Sequence, residues 1–427
     1  MKHNKITALV TAFILTAGVL SGCDALTEPE MSFVDAAELQ NSPLPSLNTL
    51  QFGENGESGT GSQIDNSDST SGTQSPDADG KTSTSGGQVS SNNDPVKIII
   101  PTATEYNVCT AEYAVFDPEK IKNVIFGDVD ITPEIRYFED QPPSYTWEYN
   151  GLSLVVDDFI LLTGDVRGFM RTMLLLPSED TNGSLYEYEH LNDDLDFCTR
   201  EEAVKNVREI LAKMDISVYE DYDVYAFHQG DIQALVDEDI EAGKFYDPKT
   251  SLKDPNKQPL ESYTVDKSNE CYYIVFREEY GGVPIYYYEH RFRSLGEGYI
   301  PNPRIIAVYS ADGLVGLEVR YHLDNILNEE KVTKLITSES AAQVVAAKYE
   351  DVVGIKQLEF KKLELMYVNT PGMTDGKLDY HKSKLVPAWV FTVNYFQYEE
   401  DIMKREYADM PRKEIVMIDA RTGAEMV

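Results

Sequence analysis

Apolar and polar positions divide the chain into three stretches. A mostly apolar run, Ile6 to Leu20, stands behind Lys2 and Lys5. From Asp24 to about Pro95 the chain turns to Ser, Gly, Thr, Asn and Asp. Between Gly53 and Pro95 its only large aliphatic residues are Ile64 and Val89, too few to offset the entropy of ordering. At Val96-Lys97-Ile98-Ile99-Ile100 the composition changes, and from there to Val427 the sequence is patterned and rich in Tyr.

The patterned part predicts strands and three helices. Leu152 to Val156, Phe159 to Thr163 and Arg171 to Leu176 are β-prone runs parted by Asp157-Asp158 and Gly164-Asp165. Asp117-Pro118-Glu119 suits the start of a short helix, because Pro fits the first turn. Thr199-Arg200-Glu201-Glu202 is a capping box, followed by Ala203, Val204, Val207, Ile210, Leu211 and Met214 on one face. Thr337-Ser338-Glu339-Ser340 opens a third helix with the stripe Ala341, Val344, Val345 and Tyr349. Both stripes read as core faces.

The sequence after each of the two longer helices is alike. Val224 to Phe227 follows the first. Cys271 to Arg277 and Val283 to His290 then flank Gly281-Gly282 as a predicted hairpin, with Tyr272, Ile274 and Phe276 on one face. Arg304 to Tyr309 and Leu314 to Tyr321 join through Ala311-Asp312-Gly313. After the later helix come Leu358 to Val368, Leu385 to Tyr395, Glu414 to Asp419 and a turn at Ala420-Arg421-Thr422-Gly423. The parallel predicts an α+β fold of repeated helix-on-antiparallel-sheet units, with an insertion near Asp247 to Gln258 in the first copy. The boundaries expected are a signal at 1–22, a lipidated Cys with a disordered linker at 23–95, a strand-rich subdomain at 96–197, and α+β units at 198–328 and 329–427.

Leu20-Ser21-Gly22-Cys23 closes the apolar run, which is too short to span a bilayer stably. The layout resembles the lipobox of bacterial lipoproteins. That resemblance implies cleavage before Cys23 and a diacylglycerol on its sulfur, where two acyl chains give stable anchoring. The expected location is the extracytoplasmic face of the cell membrane. The linker reads as a tether: roughly 70 residues of flexible coil average about 50 Å and stretch past roughly 200 Å.

Charge narrows the partners. The formal net charge is −36, and removing Lys2 and Lys5 with the signal leaves −38. A surface of this sign repels polyanions and shows no basic stripe, which argues against nucleic acid and against lying tightly on an anionic membrane. Beyond Cys23 only Cys109, Cys198 and Cys271 remain. Three cysteines make no full disulfide framework; the alternatives are one pair with a free thiol or, preferred, three buried unpaired thiols, and none has zinc-ligand spacing.

Leu385-Val386-Pro387-Ala388-Trp389-Val390-Phe391, then Met417-Ile418-Asp419-Ala420-Arg421-Thr422-Gly423, is similar to the end of PepSY-like and YycH/YycI-like extracytoplasmic domains. The helix opened by Thr337-Ser338-Glu339 matches their helix-then-sheet order. As a whole the chain resembles uncharacterised lipoproteins of anaerobic Gram-positive bacteria. YycH and YycI proteins are held by a membrane helix that contacts a histidine kinase, and here a lipid stands in its place. The resemblance therefore implies a fold and a location more than kinase regulation.

Candidate chemistry is sparse. Asp128-Val129-Asp130-Ile131-Thr132 with Glu139 has calcium-loop spacing, but Pro133 occupies the turn position that needs Gly; Asp77-Ala78-Asp79-Gly80 has Lys81 and Gln88 at ligand positions. Hydrolase and phosphate-loop motifs are missing from the sequence. His190, His228, His290, His322 and His381 are not at metal-ligand spacing and read as surface residues. Trp147 and Trp389 read as core. The expectation is a non-enzymatic protein with no cofactor, no metal site and no assigned ligand residues, whose partners are the membrane, through Cys23, and another envelope or membrane protein. An alternative is a carbohydrate or wall-polymer module using Tyr272, Tyr273, Tyr286, Tyr287 and Tyr288 on a Tyr-rich sheet. An envelope hydrolase ranks below both.

Overall fold

Strand-length apolar runs, punctuated by Gly and acidic turns, fold into two large sheets that each carry helices. The computed structural model describes residues 31–41, 50–51, 96–138, 142–163, 193–243, 245–246, 258–286, 294–295, 298–299, 303–350, 355–374, 377–397 and 412–426. These residues belong to one unit, Met31–Val427. Outside them lie Cys23 and the apolar run before it, residues 52–95 with the Asp77 loop, the run Arg171 to Leu176, Glu139, His190, His290, Tyr287 and Tyr288.

In chain order, β1 (Phe33–Asp35) runs into a 3-10 turn at Ala36–Asn41, and β2 (Leu50–Gln51), β3 (Lys97–Ile99) and β4 (Tyr106–Tyr113) follow. α1 (Pro118–Phe126) precedes β5 (Glu134–Arg136), β6 (Ser144–Tyr149), β7 (Leu152–Val156) and β8 (Phe159–Thr163). Next come α2 (Arg200–Lys213), β9 (Tyr222–Phe227), α3 (Gln229–Glu241) and β10 (Cys271–Phe276). Short strands β11 (Glu279–Tyr280), β12 (Val283–Tyr286), β13 (Ser294–Leu295) and β14 (Gly298–Tyr299) lead to β15 (Arg304–Ser310) and β16 (Gly313–Arg320). β17 (Leu323–Val332), β18 (Lys334–Ile336), α4 (Ser338–Glu350), the long hairpin β19 (Ile355–Thr374) and β20 (Lys377–Gln397), then β21 (Arg412–Asp419) and β22 (Glu425–Met426) complete the chain.

Among the described residues the first sheet has the order β5-β6-β7-β8-β16-β15-β10-β9 and is antiparallel throughout. The second is built on the β19–β20 hairpin. β2, β3 and β12 line the outer side of β19, the last two in parallel, while β21 and β4 line β20. The fold is α+β, and α2 and α4 each lead into an antiparallel meander, β9-β10-β15-β16 in one case and β19-β20-β21-β22 in the other. The Ala311 and Ala420 turns occupy the same place in the two meanders. Extra chain enters the first copy twice: α3 between β9 and β10, and β11 to β14 between β10 and β15.

The helices start where their caps dictate. The Asp117 carboxylate accepts from the Glu119 and Lys120 N–H groups, and Thr199 and Glu202 form a reciprocal capping box. Ala203, Val204, Val207, Leu211 and Met214 bury against the first sheet, and Ala341, Val345 and Tyr349 against the second. α3 has a signal the sequence reading passed over: Ile232, Leu235 and Val236 lie at helical spacing. Its cap is a His, and Gly230 and five acidic residues dilute the stripe.

α3 covers the face of the first sheet opposite α1 and α2, so β10 is buried on both sides. The expected hairpin of Cys271 to Arg277 with Val283 to His290 does not form. β10 pairs with β9 and β15, while Gly281-Gly282 turns β11 back onto β12, which adds to β19 instead. Both glycines have positive φ, as a two-residue hairpin turn of this hand requires. Residues 96–197, read as one strand-rich subdomain, contribute to both sheets: β3 and β4 to the second, β5 to β8 to the first. The division follows the apolar face of β4, whose Tyr106, Val108, Cys109 and Ala111 are buried.

Part of the expected linker is ordered. Residues 31–41 and 50–51 are part of the folded body: β1 pairs with β18, β2 with β19, and Ala36 and Leu39 bury in the core under α4. The Ser32 N–H donates to Ser340 Oγ (2.9 Å), Thr337 N–H to the Ser32 carbonyl (3.0 Å), and Gln40 Nε2 to the Pro101 carbonyl (2.9 Å). Averaged over the whole linker, composition hides this strap of apolar residues.

Candidate functional site

The residues that carry the tail resemblance converge, and their polar groups are spent on holding the sheet together. Trp389 Nε1 donates to the Ile336 carbonyl (3.0 Å), Ile336 N–H to Ala420 (2.8 Å), and Ala420 N–H to Pro387 (2.9 Å). Asp419 accepts from the Arg421 backbone and guanidinium, closing the turn before β22. Trp147 and Trp389 are both core residues.

A second polar cluster sits where the chain crosses between sheets. Residues 277–278 and 321–322 are the two crossings between β10 and β11 and between β16 and β17. There a Glu278 oxygen lies 3.0 Å from His322 Nδ1, and its other oxygen accepts from Leu323 N–H (3.1 Å). Phe116 stacks on the imidazole with ring centroids 6.1 Å apart. Burial pulls the His322 pKa down, but the charge and hydrogen bond of Glu278, with the charge of Asp324, outweigh it and leave the pKa raised. His322 is therefore a buried paired group and not the surface residue expected. Beside it Arg277 Nη1 donates to Glu364 (2.8 Å), which also pairs with Lys362 (2.7 Å), linking β10's end to β19.

The thiols are poor nucleophiles. Burial pushes Cys109 and Cys271 up to about 12. Cys198, only half-buried, is also raised, by desolvation first and then by Glu202 and Asp194. It lines a shallow cleft of about 430 Å³ between α2 and the β15–β16 turn, with Glu202, Lys205, Asn206 and Tyr309. Asn206 Nδ2 donates to the Tyr309 hydroxyl (2.9 Å). A raised pKa keeps less of this thiol as thiolate and so weakens it as a nucleophile. Among the described residues no three His, Cys, Asp or Glu side chains gather as a metal site.

Tyr272 and Tyr273, proposed for stacking on sugars, are both buried. The Tyr272 hydroxyl accepts from Leu195 N–H (2.5 Å) and donates to the Cys198 carbonyl (2.7 Å), which fastens the approach to α2. Its ring faces Phe197 across 5.6 Å.

The exposed apolar surface lies elsewhere, at the β5 end of the first sheet. Among the described residues β5 has one neighbour, β6, and all three of its residues are exposed. Ile135, Tyr137 (78 % exposed) and Phe138 (51 %) follow one another along this edge. Glu134 and Arg136 pair with each other (2.9 Å) and border Ile135. Arg136 stands opposite Ser144, beside the β7–β8 turn of Asp157 and Asp158. Asp157 accepts from Phe159 N–H (3.0 Å), and desolvation, with hydrogen bonding to Asp158, raises its pKa to about 6. The result is an edge that offers backbone donors and acceptors, aromatic rings and a nearby acidic pair. Sequence reading missed it because three apolar residues beside a Pro-rich turn look like any short strand.

No family model matches the chain, and no curated protein matches it. Its structure is similar to the crystal structure, at 1.45 Å resolution, of an uncharacterized protein from Eubacterium rectale ATCC 33656, with a TM-score of 0.53 and 16 % sequence identity. The match covers 78 % of this chain and 89 % of that one. At that identity the likeness speaks for the fold alone.

Proposed function

We propose that this chain is a lipid-anchored extracytoplasmic protein that acts by binding another protein of the cell envelope, in an accessory or regulatory role, without catalysis of its own. The observation that carries the reading is the β5 edge, where Ile135, Tyr137 and Phe138 stand exposed beside a strand with one neighbour among the described residues. An edge of this kind adds a strand from a partner through main-chain hydrogen bonds, with apolar side chains supplying specificity. Cys23 supplies the address, and the lipobox resemblance supports it.

The test is capture from intact membranes with a photo-crosslinking residue at position 138, compared with the same chain, crosslinker included, carrying Ile135→Lys and Tyr137→Ser. Exposed positions change stability by about 0.5 kcal/mol or less each, so a folded variant that loses the crosslinked protein supports the reading. Recovery of the same protein by both chains removes it. Cys23→Ser is expected to release the protein from the membrane with its fold unchanged, as read by fractionation and circular dichroism.

A further inference from the structure

The docked strap shortens the stretch of chain between Cys23 and the folded unit. Seven residues, 24–30, separate Cys23 from Met31, the first described residue of the folded unit. Fully extended, that stretch reaches about 28 Å from Cys23 to Met31. The Ser/Gly/Asp-rich residues 52–95 do not add to this reach, because both of their ends return to one strand. Gln51 pairs with Gln357 and Lys97 with Lys362, five positions along β19, or about 17 Å. The stretch that joins Cys23 to the folded unit is therefore 24–30.

Next to this connection two large apolar side chains stand exposed. Met31 is 40 % exposed and Phe33 45 %. Phe33 stands on β1 opposite Ile336, and Lys334, exposed on β18, faces Asp35 across the same pair. Aromatic and thioether side chains beside a membrane-inserted lipid gain by burial in the headgroup boundary, at about 25 cal/mol per Å² of apolar area. A body drawn this close brings its own β1–β18 face to the lipid, whereas a long tether would leave that face in water.

We infer that the short connection and the exposed Met31 and Phe33 side chains hold the folded body at the bilayer surface against the repulsion the chain's net charge of −36 meets on anionic lipid, and that the body is not carried outward by the Ser/Gly/Asp-rich stretch. The inference rests on the lipid-anchor reading of Cys23. It selects partners within a few tens of ångströms of the membrane over those deep in a cell wall.

The full chain, exported and purified with its lipid, is placed in vesicles of phosphatidylcholine and anionic phosphatidylglycerol, and mass spectrometry of the N-terminal peptide reports whether Cys23 carries the diacylglycerol. In a Cys198→Ser background, one fluorophore is attached at Ser32→Cys and, in a second preparation, at Met373→Cys, the exposed end of the β19–β20 hairpin. Energy transfer to a headgroup-labelled acceptor lipid is read for each. The expected result is strong transfer from position 32, weak transfer from position 373, and a several-fold fall at position 32 when about 40 Gly/Ser residues are inserted between Glu30 and Met31. Lipidated protein with equal, weak transfer at both positions, or with no response to the insertion, overturns the inference while leaving the anchor standing. An unmodified Cys23 overturns the anchor reading and the inference with it.

Discussion

His322 Nδ1 lies 3.0 Å from a carboxylate oxygen of Glu278, and the two residues occupy the two points where the chain crosses between the sheets around β10 and β16. Both are buried. The pair therefore ties two of the stretches of backbone that pass between the sheets. It is also inside the protein, where removing one partner leaves the other without compensation.

That relationship gives a signed pH dependence. The His322 pKa is raised in the folded state, so its contribution is fully present below the unfolded value of about 6.5 and is lost as pH rises through the folded value. Glu278→Gln is expected to cost about 3–5 kcal/mol in mildly acidic solution, the usual penalty for breaking a buried pair. The deficit should shrink as the pH rises and His322 becomes neutral in both proteins. Urea denaturation at pH 6 and pH 9 measures it, and an equal deficit at both would show that the pair carries no charge.

Asp157 makes a separate contribution at lower pH. Its folded pKa of about 6 stands above the ordinary carboxylate value, so the folded protein holds the proton longer and stability falls as pH rises from about 4 to 6. Asp157→Asn keeps an oxygen for the Phe159 N–H and removes the titration. The variant's melting temperature should vary less than the wild type's across that window, as differential scanning calorimetry would record.

Gly423 meets two demands. Its φ is +75°, and a Cβ there would fall 2.1 Å from the sulfur of Met31. Gly423→Ala should therefore cost about 1–2 kcal/mol in backbone strain and displace Met31. Faster amide hydrogen exchange in β1, with β10 unchanged, is the expected signature. Unchanged exchange in β1 would mean that Met31 is not what holds the strap at this turn.

Trp389→Phe removes the indole N–H from the Ile336 carbonyl and leaves a small void in the core of the second sheet. The expected loss is about 2–4 kcal/mol, seen as a lower urea midpoint at constant slope. A loss much below 1 kcal/mol would mean that the carbonyl finds water.

The Asp117 and Thr199 caps, the strands β7 and β8, and the Ala311-Asp312-Gly313 turn all appear where their residues placed them, because each involves partners within a few positions of one another. α3 was missed although Ile232, Leu235 and Val236 carry the right spacing, since a His cap and an internal Gly are weak start signals. Tyr272 and Tyr273 alternate as a two-faced strand should, but the covering of both faces depends on α3 packing where no local rule places it. The β5 edge was not legible either, because exposure is decided by what fails to pack on a residue.

From the chain alone came the α+β class, the likeness of the two helix-and-meander units, the Trp389 core and the expectation of a lipid at Cys23. Folding settled which strands pair, the buried meeting of Glu278 with His322, and the docking of residues 31–41. Ser32 bonds to Ser340 across 308 positions, and Phe33 pairs with Ile336. Such contacts leave no periodic mark in either segment, since each side looks locally like ordinary polar chain. They form because burying Ala36 and Leu39 beneath α4 offsets the entropy of ordering a strap that composition alone would leave free.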